Sequence, residues 1–510
     1  MKYVFMPSLI FLCVIKNFYR RCPMSKFNSP STIKTVNSCG HAAYAMTDKS
    51  KLVTQVLTSF FDESKFYGDN SDDIRETLKR VVADDPGFVS NLAVFARREF
   101  NMRSISHILT AYLAHEPAGK PYVRSTVKGV TVRGDDATEI MAAYLSEFGK
   151  PIPNSLKKGI ADVLKGFDEY TLAKYKGTGK EVKMSDLLNL CHPKPKNRDQ
   201  ELLWKKCLEG TLDIPETWET KLSANGNNKE TWEELIANDS VGYMALLRNL
   251  RNIIKANPDN IDKVYAKLSN PEAVRKSKQL PFRFFSAYTA VKDAKLGSSK
   301  IYDVLEDAID ASVENLPKIP GKTLIAIDVS GSMGCSISQS SSVTASDISM
   351  LLGVIANRIC DDAIVLTFDT IIRELHVSHR DGILGAVDNY RCCGGGTDMN
   401  LPFRYLLDHA YTASSIDRVI ILSDNECNCG WWRNPVQVLA DEYRDKSGND
   451  IWVHAIDLQG YGTQQFHGRK TNVIAGWSEK VFDFILLAEQ GVGSLEKTIE
   501  NYTWGMGSLS

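Results

Sequence analysis

Beyond its first fifteen residues the chain has no apolar run approaching a bilayer crossing, which takes about 20 residues. Long Gly/Ser or Pro tracts are also missing, so linkers must be short. With 43% hydrophobic and 24% charged residues, a disordered or collagen-like chain is excluded. Eleven cysteines are too few for a disulfide scaffold in 510 residues, and an odd number cannot all pair. No C-x-x-C occurs; the local clusters are Cys392-Cys393 and Cys427-x-Cys429. Reduced thiols are the simplest expectation, and a soft-metal or redox site there lacks a second ligand pair. The catalytic signatures H-E-x-x-H, G-x-S-x-G and Walker A are absent as well.

Net charge is nearly absent at −1, but its distribution is uneven. Residues 1–23 carry four basic residues and no acid, residues 24–319 carry 43 basic and 39 acidic, and residues 320–510 carry 14 basic and 23 acidic. A mildly basic front therefore precedes an acidic back. Tyr3–Ile15 is apolar, interrupted by Pro7, and followed by Lys16, Arg20 and Arg21 rather than a small-residue cleavage site. Residues 1–23 are expected to be a non-structural extension or a mis-assigned start, with Met24 opening an ordinary polar beginning; a membrane anchor is the alternative.

From about Ser50 to Leu316 the apolar period is helical. Ile74, Leu78, Val81 and Val82 follow the capping run Asn70-Ser71-Asp72, and Pro86 opens the next helix, with Val89, Leu92, Ala93 and Ala96 on one face. Ile105, Ile108, Leu109, Tyr112 and Leu113 make a third. Helices are expected over Ala137–Phe148, Ser155–Phe167, Met184–Leu190, Asp199–Cys207, Lys229–Ile236, Gly242–Ile254, Ile261–Leu268, Arg283–Asp293 and Ile301–Asn315. Helix after helix with short connections predicts an all-α solenoid of antiparallel pairs with degenerate repeats.

The pattern changes at Pro317-Lys318-Ile319-Pro320-Gly321. Thr323–Val329, Ala363–Phe368, Val419–Leu422 and Ile451–Ile456 read as buried strands. Ser346–Ile359, Leu401–Tyr411 and Pro435–Arg444 read as helices between them. Such alternation predicts a parallel sheet covered on both faces, a doubly wound α/β domain over residues 320–510.

Ligands of such sheets bind at the carboxyl ends of strands. One strand runs into Asp328-Val329-Ser330-Gly331-Ser332, a loop downstream reads Gly394-Gly395-Gly396-Thr397-Asp398, and another strand ends in Ser423-Asp424-Asn425-Glu426. Asp328, Ser330, Ser332, Thr397 and Asp424 supply two carboxylates and three hydroxyls. These are hard oxygen donors suited to Mg²⁺, or secondarily Mn²⁺, with waters completing an octahedron. Each piece alone is ordinary turn or cap chemistry. Glu426 could be read as a general base beside the ion, as a residue supporting the ligands from behind, or as a solvated loop acid; binding is favoured over catalysis.

The ordered set resembles the metal-ion-dependent adhesion site (MIDAS) of von Willebrand factor A domains. In that family the serines bind the metal directly, the threonine and aspartates bind directly or through water, and an acidic group of a partner fills the open position.

In the helical half, Lys174–Lys206 holds nine basic residues against four acids. Pro193 and Pro195 keep Leu190-Cys191-His192-Pro193-Lys194-Pro195-Lys196 extended. A basic loop beside basic helix ends is a usable phosphate track, although an isolated lysine-rich window is more often a solvated surface.

The order of modules resembles the Ro autoantigen family, whose helical part is the TROVE module, a ring of HEAT-like helical repeats. Local stretches carry the likeness: Asp85-Pro86-Gly87-Phe88-Val89, Ala96–Ser104, Asp186–Pro195 and Met244–Leu250. The resemblance implies a TROVE-like domain over residues 24–319 closing into a ring that the A domain bridges. It further implies binding of small noncoding Y-like RNA outside the ring and of misfolded RNA 3′ ends in the cavity, as a ribonucleoprotein scaffold in RNA quality control. By the same resemblance Lys174, Lys176 and His192 contact RNA, joined by Lys194 and Lys196. An exoribonuclease or another protein reached through the RNA or the metal site is a further expected partner. The expectation is a monomeric, cytoplasmic, non-enzymatic protein without membrane contact. The alternatives left open are a metal-dependent protein–protein adaptor with a peptide-binding solenoid and a hydrolase using Glu426.

Overall fold

The computed structural model describes residues 34–37, 41–58, 72–177, 179–213, 215–336, 342–378, 380–389, 394–409, 416–428, 436–476, 479–491 and 495–504. The 1–23 segment, the capping pair Asn70-Ser71 and Cys392, Cys393 and Cys429 lie outside them. Among the described residues no helix is long and apolar enough to cross a membrane.

The helical half follows the apolar period closely. Asp85 caps Pro86–Arg98 by accepting the Phe88 N–H, and Pro86 occupies the first turn, where its missing donor costs nothing. Asn197 and Asn228 cap Arg198–Glu209 and Lys229–Ala237 in the same way. Helix Asp48–Thr58 and four shorter ones go beyond the expectation: Val123–Val130, Glu169–Lys174, Trp218–Asn225 and Pro271–Ser277. Trp218–Asn225 buries none of its residues, so it left no apolar stripe to read.

The α/β half holds a six-stranded sheet in the order β5-β4-β3-β6-β7-β9, formed by Ile372–Leu375, Cys360–Phe368, Ile319–Asp328, Ile416–Ser423, Trp452–Asp457 and Thr471–Ala475. The expected all-parallel sheet needs correction: β5 runs antiparallel to β4, so the sheet is mixed. β5 is a half-exposed edge strand, whereas β9 is buried at all five positions; neither alternates in the way a strand prediction seeks. Both faces are covered, as expected. Along β3, Ile325 and Ile327 enter the core shared with the helical half, while Leu324 and Ala326 enter a second core under Leu401–Asp408 and Val436–Ser447.

The α/β half touches both ends of the helical half and so closes a ring. At the first end, helix Leu495–Glu500 packs on Pro86–Arg98, and Lys49 bridges Asp85 (2.6 Å) and Glu500 (2.9 Å). At the last end, Glu479 accepts the Phe282 N–H at 2.5 Å, and Glu306 accepts the Leu384 N–H at 3.0 Å. A small sheet adds a third tie. β1 (Lys34–Val36) pairs with β2 (Ala42–Ala45), which pairs with β8 (Thr463–Gln464).

Candidate functional site

The strand ends bring acids together. Asp328 ends β3, Asp369 follows β4, Asp424 follows β6 and Asp457 ends β7, four adjacent strands of one sheet. Asp328, Ser330 and Asp424 are fully buried and Thr397 is nearly so, while Ser332 is exposed. The Asp328 carboxylate accepts the Ser330 N–H at 2.9 Å and the Ser423 hydroxyl at 2.5 Å. Ser330 and Ser332 hydroxyls stand 3.2 Å apart. The glycine loop is clipped over them: Gly394 N–H donates to Val329 O at 2.9 Å and Gly331 N–H to Gly395 O at 3.0 Å, with Gly395 at φ 77°, a conformation that suits glycine. Thr397 is tied to the Asp424 loop, its N–H donating to Asn428 Oδ1 at 2.9 Å.

Burial raises the Asp328 pKa, and the charge of Asp424 raises it further. Burial also raises Asp424, opposed by a hydrogen bond from Ser332. One Asp424 oxygen, Oδ2, is buried with no hydrogen-bond partner. Two desolvated carboxylates, an orphaned oxygen and converging hydroxyls are a donor set that fits a small hard divalent cation. Glu426 is also buried. Its N–H donates to Asp424 at 3.1 Å and its carboxylate accepts the Thr463 hydroxyl at 3.3 Å. It braces the loop and is not a solvated acid.

The basic window divides into two surfaces. Lys174 and Lys176 line a concavity of about 530 Å³ together with Lys183 and Arg133. Burial works against the Lys174 ammonium, but the Tyr170 hydroxyl at 3.3 Å and Glu219 at 3.8 Å outweigh it and hold its pKa up. Helix Met184–Cys191 then leads away for eight residues, about 12 Å at 1.5 Å each. His192 ends it in the left-handed conformation (φ 45°), exposed, with Lys194 and Lys196 exposed beyond. Among the described residues Lys176, Lys183, Lys194, Lys196 and Arg198 form no ion pair, whereas Lys180 and Lys206 are held by Glu139 and Glu169.

Ring closure makes a larger cavity whose arginine lining was not foreseen. It measures about 690 Å³ and is lined by Arg103, Arg133, Arg248, Arg251 and Arg283, with no acid in its lining. Arg103 and Arg133 lean on Asp135 behind the wall, at 2.9 and 3.2 Å. Burial lowers the Arg283 pKa, Glu479 raises it and Arg248 lowers it further. These arginines span 180 positions of sequence, so no local window contains them.

A helical ring joined end to end by a von Willebrand factor A-like domain, with an arginine-lined cavity, defines the class. Residues 39–212 and 209–304 match the TROVE domain, and residues 322–478 match the Ro60 vWA domain. The chain belongs to the Ro autoantigen family. It is 25% identical over 335 residues to telomerase protein component 1 of Rattus norvegicus, covering 48% of this chain and 13% of that protein. It is 27% identical over 225 residues to the RNA-binding protein RO60 of Deinococcus radiodurans, covering 41% of each. RO60 of Caenorhabditis elegans is 26% identical over 249 residues, covering 46% of this chain and 38% of that protein. The matches thus span well under half of each relative's length. The crystal structure of the Deinococcus radiodurans Ro (RSR) protein has the same fold, with a TM-score of 0.62 over 89% of this chain and 99% of that one, at 17% identity.

Proposed function

We propose that this protein binds RNA and acts as a ribonucleoprotein scaffold, without catalysing a reaction. The arginine cavity carries the reading: five guanidiniums and no acid face one concavity. Guanidiniums pair with phosphate through fixed forks and stack on bases, so an unpaired RNA end is the ligand that suits the cavity. Met244 and Leu247 on the same wall offer apolar contact to bases. Lys174, Lys176, Lys194, Lys196 and His192 on the outer surfaces would hold a structured, Y-like RNA, ammonium groups to phosphate and imidazole to base. RNA quality control in the cytoplasm is the corresponding role. The RO60 relatives are RNA-binding proteins by name, which supports the reading.

Asp328, Ser330, Ser332, Thr397 and Asp424 would hold one Mg²⁺, or alternatively Mn²⁺. The ion would neutralise the two buried carboxylates and present an open position to an acidic group of a protein partner. Glu426 is buried and held by the Thr463 hydroxyl, which favours a bracing role and hence binding over hydrolysis. Sequencing RNA crosslinked to the protein in its native host tests the reading: recovery of small structured RNAs and of RNAs with unpaired 3′ ends supports it, and recovery of no RNA above background rejects it.

A further inference from the structure

Helices Ser104–His115 and Asp136–Phe148 pack side by side and run the same way. Their first turns stand at the arginine cavity, by Arg103 and Arg133. Their last turns open a separate concavity of about 780 Å³. Twelve residues at 1.5 Å put the two about 18 Å apart.

The floor of this second concavity is an aromatic stack. The exposed His115 imidazole lies on Phe148 with ring centroids 3.9 Å apart and planes 7° from parallel. Phe148 is backed edge-on by Tyr112 at 4.9 Å and flanked by Tyr144 at 5.4 Å, so the stack cannot tilt freely. His115 and Phe148 both line the concavity, and His115 is exposed to it. On the rim, Arg75 grips Glu147 through two hydrogen bonds of 2.8 and 3.1 Å, and Glu147 also accepts the Tyr112 hydroxyl at 2.9 Å. That carboxylate is spent. Lys79 is exposed and forms no ion pair among the described residues. The remaining acid is Glu116, so the rim is near neutral, suited to a base with one phosphate rather than to a run of phosphates.

We propose that the His115–Phe148 stack is a second base-binding site, taking one unpaired nucleobase of an RNA strand and its phosphate on Lys79. This rests on the RNA-binding reading above.

The test uses the full chain, a hairpin RNA with a twelve-nucleotide single-stranded tail, and the same hairpin without the tail. His115→Ala should weaken the tailed RNA about tenfold and leave the blunt hairpin unchanged, because stacking on one base is lost. His115→Phe, which keeps a ring, should retain affinity. Lys79→Gln should flatten the salt dependence of tail binding by about 0.7, one single-strand phosphate contact. Independently of variants, 4-thiouridine in the tail should crosslink to a peptide containing His115 or Phe148 in the unaltered protein. If the lysine variants at 174 and 176 weaken RNA while His115→Ala does not and no crosslink reaches this peptide, the stack is not a base site and the RNA-binding reading stands. If the unaltered protein binds neither RNA, both fall.

Discussion

Arg133 lies over the Tyr175 ring, its guanidinium carbon 5.5 Å from the ring centroid. That contact sets one cation at the lip of two concavities, the arginine cavity inside the ring and the Lys174 surface outside it. Arg133 thus links the two concavities, the second of which Glu209, Asp213 and Glu219 also line. Arg133→Gln should weaken a structured RNA and a single-stranded RNA alike, each about tenfold for one lost charge-assisted contact. Arg251→Gln should weaken the single strand alone. Parallel binding curves with the two RNAs check this; an Arg133 variant affecting only one of them would break the link.

The metal prediction separates the two halves. Asp328→Ala with Ser330→Ala should abolish binding of one Mg²⁺ or Mn²⁺ equivalent in calorimetric titration, and RNA affinity should persist. Metal at a hundredfold excess over its dissociation constant should stabilise the unaltered protein by about 2.7 kcal/mol and the double variant not at all. Unchanged metal binding in the double variant would remove the assignment.

Ring closure has its own pH signature. Glu479 is buried where it accepts the Phe282 N–H, and burial pushes its pKa up to about 7 from an ordinary 4.5, against the opposing pull of Arg283. The folded state thus binds a proton more tightly than the unfolded chain. The stability from that proton is complete below about pH 4.5 and is lost as pH rises through about 7. Glu479→Gln keeps the carbonyl acceptor and removes the charge. Its melting temperature should match the parent at pH 5 and exceed it at pH 8, by a stability difference on the order of 2 kcal/mol. Equal melting at both values would mean that Glu479 does not titrate in this range.

Much of this was legible because it is local. The apolar run ending at Asp328, with Ser330 and Ser332 beyond, could be read as a strand feeding a ligand loop, and the structure puts those residues there. The charge density of Lys174–Lys206 was visible in the sequence, but only the family resemblance picked out Lys174, Lys176 and His192 within it. What escaped reading is non-local. β2 pairs with β8 across some 420 residues, and Asn37 donates to Cys427 O at 2.8 Å, bracing the Asp424 loop from the far end of the chain. Arg103, Arg248 and Arg283 meet only because the ring closes. Phe148 ends an expected helix and His115 lies just past the third apolar stripe; nothing in either helix announces that they stack.

The central claim is that RNA lies on these cations, and a salt series tests it most directly. Affinity for a small structured RNA should fall steeply with salt, each phosphate contact adding about 0.7–0.9 to the slope of log K against log salt. Lys174→Gln, Lys176→Gln and Lys194→Gln together should weaken binding and flatten that slope by about two units. His192→Ala should weaken binding with the slope nearly intact and the melting temperature unchanged, because His192 is exposed. A triple-lysine variant with the parent's affinity and slope would contradict the account.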